Sequence, residues 1–227
     1  MNIILIAGMW LDGSAWDAVV PRLRALGHQA VPVSLPGQGA PPSDAGLEDQ
    51  RAAVLAAIDA ADGGGVLVVG HSAASTLAWM AADARPEKVT RVAMIGGFPG
   101  GDGSTYFDNF ELVDGVMPFP GWEPFEGPDS ADLDEQQRRS IAAAAVAVSG
   151  AVTHGIVHLS DERRYEIPVT LICPEFSPAD ARGWIEGGEV PELAKARHVA
   201  YVDIESGHWP MFTKPEELAD LLAAADA

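Results

Sequence analysis

Val66-Leu67-Val68-Val69-Gly70-His71-Ser72-Ala73-Ala74-Ser75 is the stretch whose reading decides the fold. An apolar, β-branched run of strand length stops at Gly70, and the small residues Ala73 to Ala82 that follow have good helix propensity. A strand turning sharply into a helix leaves the residue at the bend strained and its side chain exposed at the sheet's C-terminal edge. Strand and helix nearly touch at such a bend, so small residues are needed on both sides, and Gly70 and Ala74 supply them. The pattern is that of a nucleophile elbow, G-x-S-x-G, with Ala74 one methyl larger than the usual last glycine. The strand before and the helix after favour a nucleophilic Ser72 over a serine that merely occupies a turn.

Working outward, strands alternate with helices. Ile3 to Ala7 reads as a buried strand ending at Gly8, followed by a loop through Met9, Trp10 and Asp12. A helix is expected over Ala15 to Leu26, where Trp16, Val19, Val20, Leu23 and Leu26 fall at helical spacing, with Gly27 as its stop. A second strand is expected over Gln29 to Leu35, then an irregular loop through Pro36 to Pro42, then a helix over Leu47 to Ala61. Beyond the elbow come strands Val89 to Ile95, Val169 to Cys173 and His198 to Ile204, a short helix over Ala179 to Glu186, and a terminal helix starting at Pro215. Six strands joined by crossover helices predict an α/β fold with a doubly wound, mostly parallel sheet. The alternation breaks between Phe98 and Glu166, which is rich in Gly, Pro and aromatics and carries a helical stretch near Leu133 to Val148. An insertion at a strand's C-terminal end sits where a cap would cover an active site, so residues 1–227 are read as one domain with a cap over about 98–166. Its aromatics could line a pocket, but packing the cap onto the body is the expected job of most of them.

Composition narrows the partners. Lys and Arg total 14 against 33 Asp and Glu, a formal charge of −19, which repels nucleic acid and anionic membranes. A single cysteine, Cys173, excludes an internal disulfide and reads as a buried strand residue. Met1-Asn2 runs into Ile3-Ile4-Leu5 with no basic start or cleavage site, and no apolar run approaches the ~20 residues of a membrane span, so a soluble cytoplasmic protein is expected. Oligomeric state is left open by the sequence.

A serine hydroxyl needs a base within hydrogen-bond reach, and the base needs a carboxylate to hold its tautomer. His208, in Ser206-Gly207-His208 after the last strand, is the candidate base. The chain order is serine, acid, histidine, as in an α/β-hydrolase. The whole chain resembles that family, and within it small, short-capped esterases similar to plant methylesterases and hydroxynitrile lyases. Ala7-Gly8-Met9-Trp10 stands where the family has His-Gly-x-x, so the resemblance implies an oxyanion hole formed by the backbone N–H groups of Met9 and Ala73. The family's acid follows the strand as Gly-x-x-Asp, whereas here Pro174-Glu175-Phe176-Ser177 puts a serine at the usual position. Glu175, at the strand's very end, is the first choice, with Asp180 next and Asp102 third. His71 is expected to point away from the chemistry and to pack, and His154 and His158, four apart, to be structural and not metal ligands.

These features together predict a serine hydrolase for a small, largely apolar carboxylic ester, thioester or lactone, acting through an acyl-enzyme in a pocket bounded by Trp10 and Trp209, without metal or cofactor. One rival is a hydroxynitrile-lyase-like C–C lyase, which by resemblance would need Lys after the base, where Trp209 stands. The other is a non-catalytic ligand-binding protein on the same fold.

Overall fold

The computed structural model describes residues 1–39 and 44–225, so residues 40–42 of the expected loop lie outside it. In chain order its first half comprises β1 (Asn2–Ile6), α1 (Val20–Ala25), β2 (Gln29–Pro32), α2 (Leu47–Asp59), β3 (Val66–His71), α3 (Ala74–Ala84) and β4 (Val89–Ile95). The insertion holds β5 (Val116–Met117), α4 (Glu135–Ala144), β6 (Val148–Ser149) and α5 (Gly150–Thr153). The alternation then resumes with β7 (Val169–Cys173), α6 (Pro178–Glu186), α7 (Pro191–Lys195), β8 (Val199–Asp203), α8 (Pro210–Thr213) and α9 (Pro215–Ala224). Six strands form one sheet in the order β2-β1-β3-β4-β7-β8, and every pair in it is parallel.

The side-chain period of two sorts each strand onto two cores. Ile4, Val68, Val92 and Leu171 face one core, closed by α2, α3 and α6 through Val54, Leu77 and Ile185. Ile3, Leu67, Ala93 and Ile172 face the other, closed by α1 and α9 through Leu23 and Leu218. A sheet buried on both faces explains why its strands read as unbroken apolar runs. The long axis of function is then set by direction: all six parallel strands end at one edge, and ligands of open α/β sheets bind there.

Several element limits differ from the sequence reading, each for a local reason. The expected helix over Ala15 to Leu26 is a 3-10 turn at Gly13–Trp16 followed by α1, because Pro21 has no N–H to continue the ladder and favours a first helical turn. Strand β2 ends at Pro32, not Leu35. Pro32 is tolerated because β2 is an edge strand, and Val33 N still donates to Leu5 O at 2.9 Å. Within the insertion the helix stops at Ala144, after starting at an Asp134/Gln137 capping box. The β-branched residues beyond it go instead to an extended run, in which Val148 pairs with Met117 and Val146 N donates to Trp10 O at 2.9 Å. The short helices α7 and α8 were not anticipated, although Pro191 and Pro210 in their first turns are a readable signal. Cys173 is buried in β7, and burial pushes its thiol up to about 12. Among the described residues no helix is long and apolar enough to cross a membrane.

Candidate active site

Ser72 occupies the two-residue gap between β3 and α3, with φ +55° in the left-handed region that side chains disfavour. Its N–H donates to Ile95 O at 2.8 Å, and Ser75 N returns a bond to Ser72 O at 3.0 Å. The bend is possible only because glycine stands at its contacts. A Cβ on Gly70 would fall 2.3 Å from Ala74 O, and one on Gly97 would fall 2.4 Å from Ser72 O. Ala74 itself, the departure from the G-x-S-x-G pattern, is fully buried in the core, so the extra methyl is accommodated there.

The loop after β8 brings His208 to the same edge, where its Nδ1 lies 2.7 Å from Glu175 Oε1. A carboxylate only accepts, so Nδ1 carries the proton and Nε2 presents its lone pair in the neutral ring. Both side chains are 13% exposed, and Glu175 Oε2 is buried without a hydrogen-bond partner. Gly96 makes room for this pair: at φ +57°, a Cβ there would come within 3.2 Å of both Glu175 Oε2 and His208 Nδ1. The two alternative acids are engaged elsewhere. Asp180 accepts from Ser177 Oγ at 2.7 Å in the cap of α6, which holds its carboxyl below the usual range. Asp102 accepts from Leu159 N at 2.9 Å. Among the described residues no hydrogen bond joins Ser72 to His208, although both line one cavity of about 360 Å³.

That cavity is also lined by Met9, Trp10, Phe107, Phe110, Phe125 and Trp209. Three of the insertion's rings, Phe107, Phe110 and Phe125, therefore line the cavity, while Phe98, Tyr106, Phe119 and Trp122 pack as expected. Trp10 makes edge contacts with Phe107 and Phe110 at 5.9 and 5.3 Å, and Trp209 packs edge-on against His208 at 4.9 Å. Asn109 adds one amide to the lining, and no local pattern marks it. A second cavity of about 300 Å³ borders Ser72 on the side of Gly97 and Phe98. A roomier groove of about 550 Å³ between Leu11 and α4 contains neither Ser72 nor His208, so chemistry rather than size selects the site. Ala73 follows Ser72 in the chain and Met9 lines the same cavity, and among the described hydrogen bonds neither backbone N–H has an intramolecular acceptor. Trp10 at φ +62° and the Leu11 N to Gly8 O bond of 3.2 Å form the turn that holds Met9.

Two contacts of His208 go beyond the sequence reading. His71 does not merely pack: its Nε2 lies 2.8 Å from His208 O, and the two rings are 4.9 Å apart. Burial, and then the neighbouring His208, pushes the His71 imidazole down to about 3. Asp129, in the insertion, accepts from His208 N at 2.7 Å through its backbone oxygen, and burial raises its carboxyl. No local pattern marks Asp129, but Gly207 hints at a close approach: a Cβ there would fall 2.3 Å from Asp129 O. His154 and His158 cannot share a helix face, because α5 ends at Thr153. Among the described residues no three His, Cys, Asp or Glu side chains cluster as metal ligands.

A model of the alpha/beta hydrolase family matches residues 3–221. The chain belongs to the alpha/beta hydrolase family. Membership makes it an enzyme of the hydrolase type. This alpha/beta hydrolase is 26% identical to methylesterase 7 of Arabidopsis thaliana over 253 residues, covering 97% of this chain and 94% of that one. A pyrethroid hydrolase from Sphingobium faniae superposes with a TM-score of 0.70 at 25% identity, covering 100% of this chain and 98% of the other. An extracellular alpha/beta-hydrolase from a Paenibacillus species, reported to share homology with tobacco salicylic acid binding protein 2, superposes with a TM-score of 0.79. At 19% identity, with 99% and 98% coverage, it speaks for the fold alone.

Proposed function

We propose that this chain is a serine hydrolase that cleaves small, largely apolar, uncharged carboxylic esters, thioesters or lactones through an acyl-enzyme, with residues 98–166 as its cap. The observation that carries the reading is the 2.7 Å contact between Glu175 and His208, on a histidine that shares an aromatic-walled cavity with a strained elbow serine. Ser72 Oγ attacks the carbonyl carbon while His208 Nε2 takes its proton. Glu175 fixes the tautomer and stabilises the imidazolium. The Met9 and Ala73 amides meet the developing oxyanion, each such donor being worth about 2.7–4 kcal/mol. His208 returns the proton to the leaving oxygen, and a water activated by the same ring then frees the acid.

Substrate class follows from the lining. Among the described residues that bound the cavity there is no Lys or Arg, so a substrate carboxylate would meet neither cation there. The methylesterase and pyrethroid hydrolase relatives support ester cleavage. Trp209, uncharged and packed against His208, leaves a cyanide leaving group without a cation, which disfavours the lyase reading. The test is steady-state hydrolysis of short p-nitrophenyl esters. Wild type should turn them over, and Ser72→Ala should fold normally and fall to background. Undiminished turnover by Ser72→Ala would remove the mechanism.

A further inference from the structure

The histidine beside the nucleophile has more to do than fill space. His71 is 1% exposed, and its Nε2 faces the backbone oxygen of His208 at 2.8 Å. A carbonyl can only accept, so His71 is the Nε2–H tautomer, and its Nδ1 is buried with no partner. The same ring abuts the loop that carries Met9: a Cβ on Gly8 would fall 2.7 Å from His71 Nδ1. We infer that His71 is a positioning residue for His208, tying the base to the elbow and to the oxyanion loop through one buried ring.

The inference rests on His208 being the base. His208 is held at three points: Glu175 at Nδ1 at 2.7 Å, Asp129 O at the backbone N–H at 2.7 Å, and His71 at the backbone oxygen at 2.8 Å. These three contacts leave Nε2 free for the Ser72 proton. Glu175 follows β7 and Asp129 belongs to the insertion, so His71 alone of the three sits on the nucleophile's own strand. A shift of the elbow is thereby shared by the base, and the Ser72 to His208 geometry is kept. Neutrality is part of the device. Burial keeps His71 uncharged well below neutral pH, so it adds no second positive charge beside the imidazolium. Burial also leaves its unpartnered Nδ1 weakly basic, so it does not compete for the proton leaving Ser72.

Three variants separate positioning from packing. The amide nitrogen of glutamine reaches about where His71 Nε2 sits, that of asparagine only as far as Nδ1, and phenylalanine fills the volume without a donor. With p-nitrophenyl butyrate, His71→Gln should keep kcat within about threefold of wild type. His71→Asn and His71→Phe should lose ~10- to 100-fold in kcat, with KM within about twofold, because a misplaced base and an unpaired carbonyl each cost rate. Wild-type kcat in His71→Phe, a loss confined to KM, or His71→Gln no better than His71→Asn would overturn the proposal. Should the variants fail to fold, long-range ¹H–¹⁵N spectra of the wild type decide. They should show the His71 proton on Nε2 from pH 8 down to pH 5; a proton on Nδ1, or an imidazolium at pH 5, overturns it. A wild type inert towards every ester would instead defeat the hydrolase reading, while leaving the tautomer measurement intact.

Discussion

At the scale of single residues, the choice between carboxylates is a matter of reach and prior engagement. Glu175 stands two residues beyond β7, and its longer side chain bridges the distance to His208 that an aspartate four residues beyond the strand would otherwise span. Asp180, by contrast, satisfies the orphan N–H of Ser177 at the start of α6. Glu175→Gln should therefore lose kcat on the order of 10⁴, since the amide can hold the wrong tautomer. Asp180→Asn should stay within a few-fold in kcat, its cost appearing as a small loss of stability. Steady-state kinetics of the two variants checks this, and a crippled Asp180→Asn beside an active Glu175→Gln would contradict it. The placement of Glu175 was legible because strand direction dictates which residues reach the edge. The alternative acids stayed open because side-chain partners such as Ser177 and the Leu159 amide are tertiary facts.

Among elements, two of the contacts that join the insertion to the body bear on function and stability. One lies at the site: Asp132 Oδ2 accepts from Ser206 Oγ at 3.1 Å beside the Asp129 to His208 bond, so this stretch of the insertion braces the histidine loop. The other is a buried ionic cluster at the insertion's end. Arg164, with a 6% exposed side chain, lies 3.0 Å from Asp83 on α3 and 3.1 Å from Glu192 on α7, and Trp79 Nε1 donates to the same Glu192 at 2.9 Å. Removing the cation leaves two carboxylates buried and uncompensated, so Arg164→Met should destabilise by about 3–5 kcal/mol in urea unfolding. A change under about 1 kcal/mol would mean the cluster contributes little. Neither contact was legible, because both join residues far apart in sequence with no periodic signature. The sheet and the elbow were legible, since apolar runs, glycine stops and parallel crossovers leave a local pattern. Pro21 and Pro32 mark where that pattern was read too far.

For the whole molecule, acidity and buried histidine set the response to pH. The His71 imidazole falls from 6.5 to about 3 on folding, chiefly by burial. Between those values the unfolded chain binds a proton that the native chain does not, so this contribution is present in full above pH 6.5 and is lost as pH falls towards 3. Its span is on the order of 5 kcal/mol. Asp129, raised by burial, acts oppositely, favouring the folded state more as it protonates. Urea unfolding at pH 7.5 and pH 4.5 should show wild type losing stability on acidification, and His71→Phe losing less of it; equal losses would contradict the assignment. All of the functional reading still turns on one oxygen atom, Ser72 Oγ. Intact-protein mass spectrometry after brief exposure to a fluorophosphonate, followed by peptide mapping, tests it most directly. A single adduct on the peptide containing Ser72, absent in Ser72→Ala, is the expected result, and an unmodified Ser72 in an ester-cleaving wild type would contradict the account.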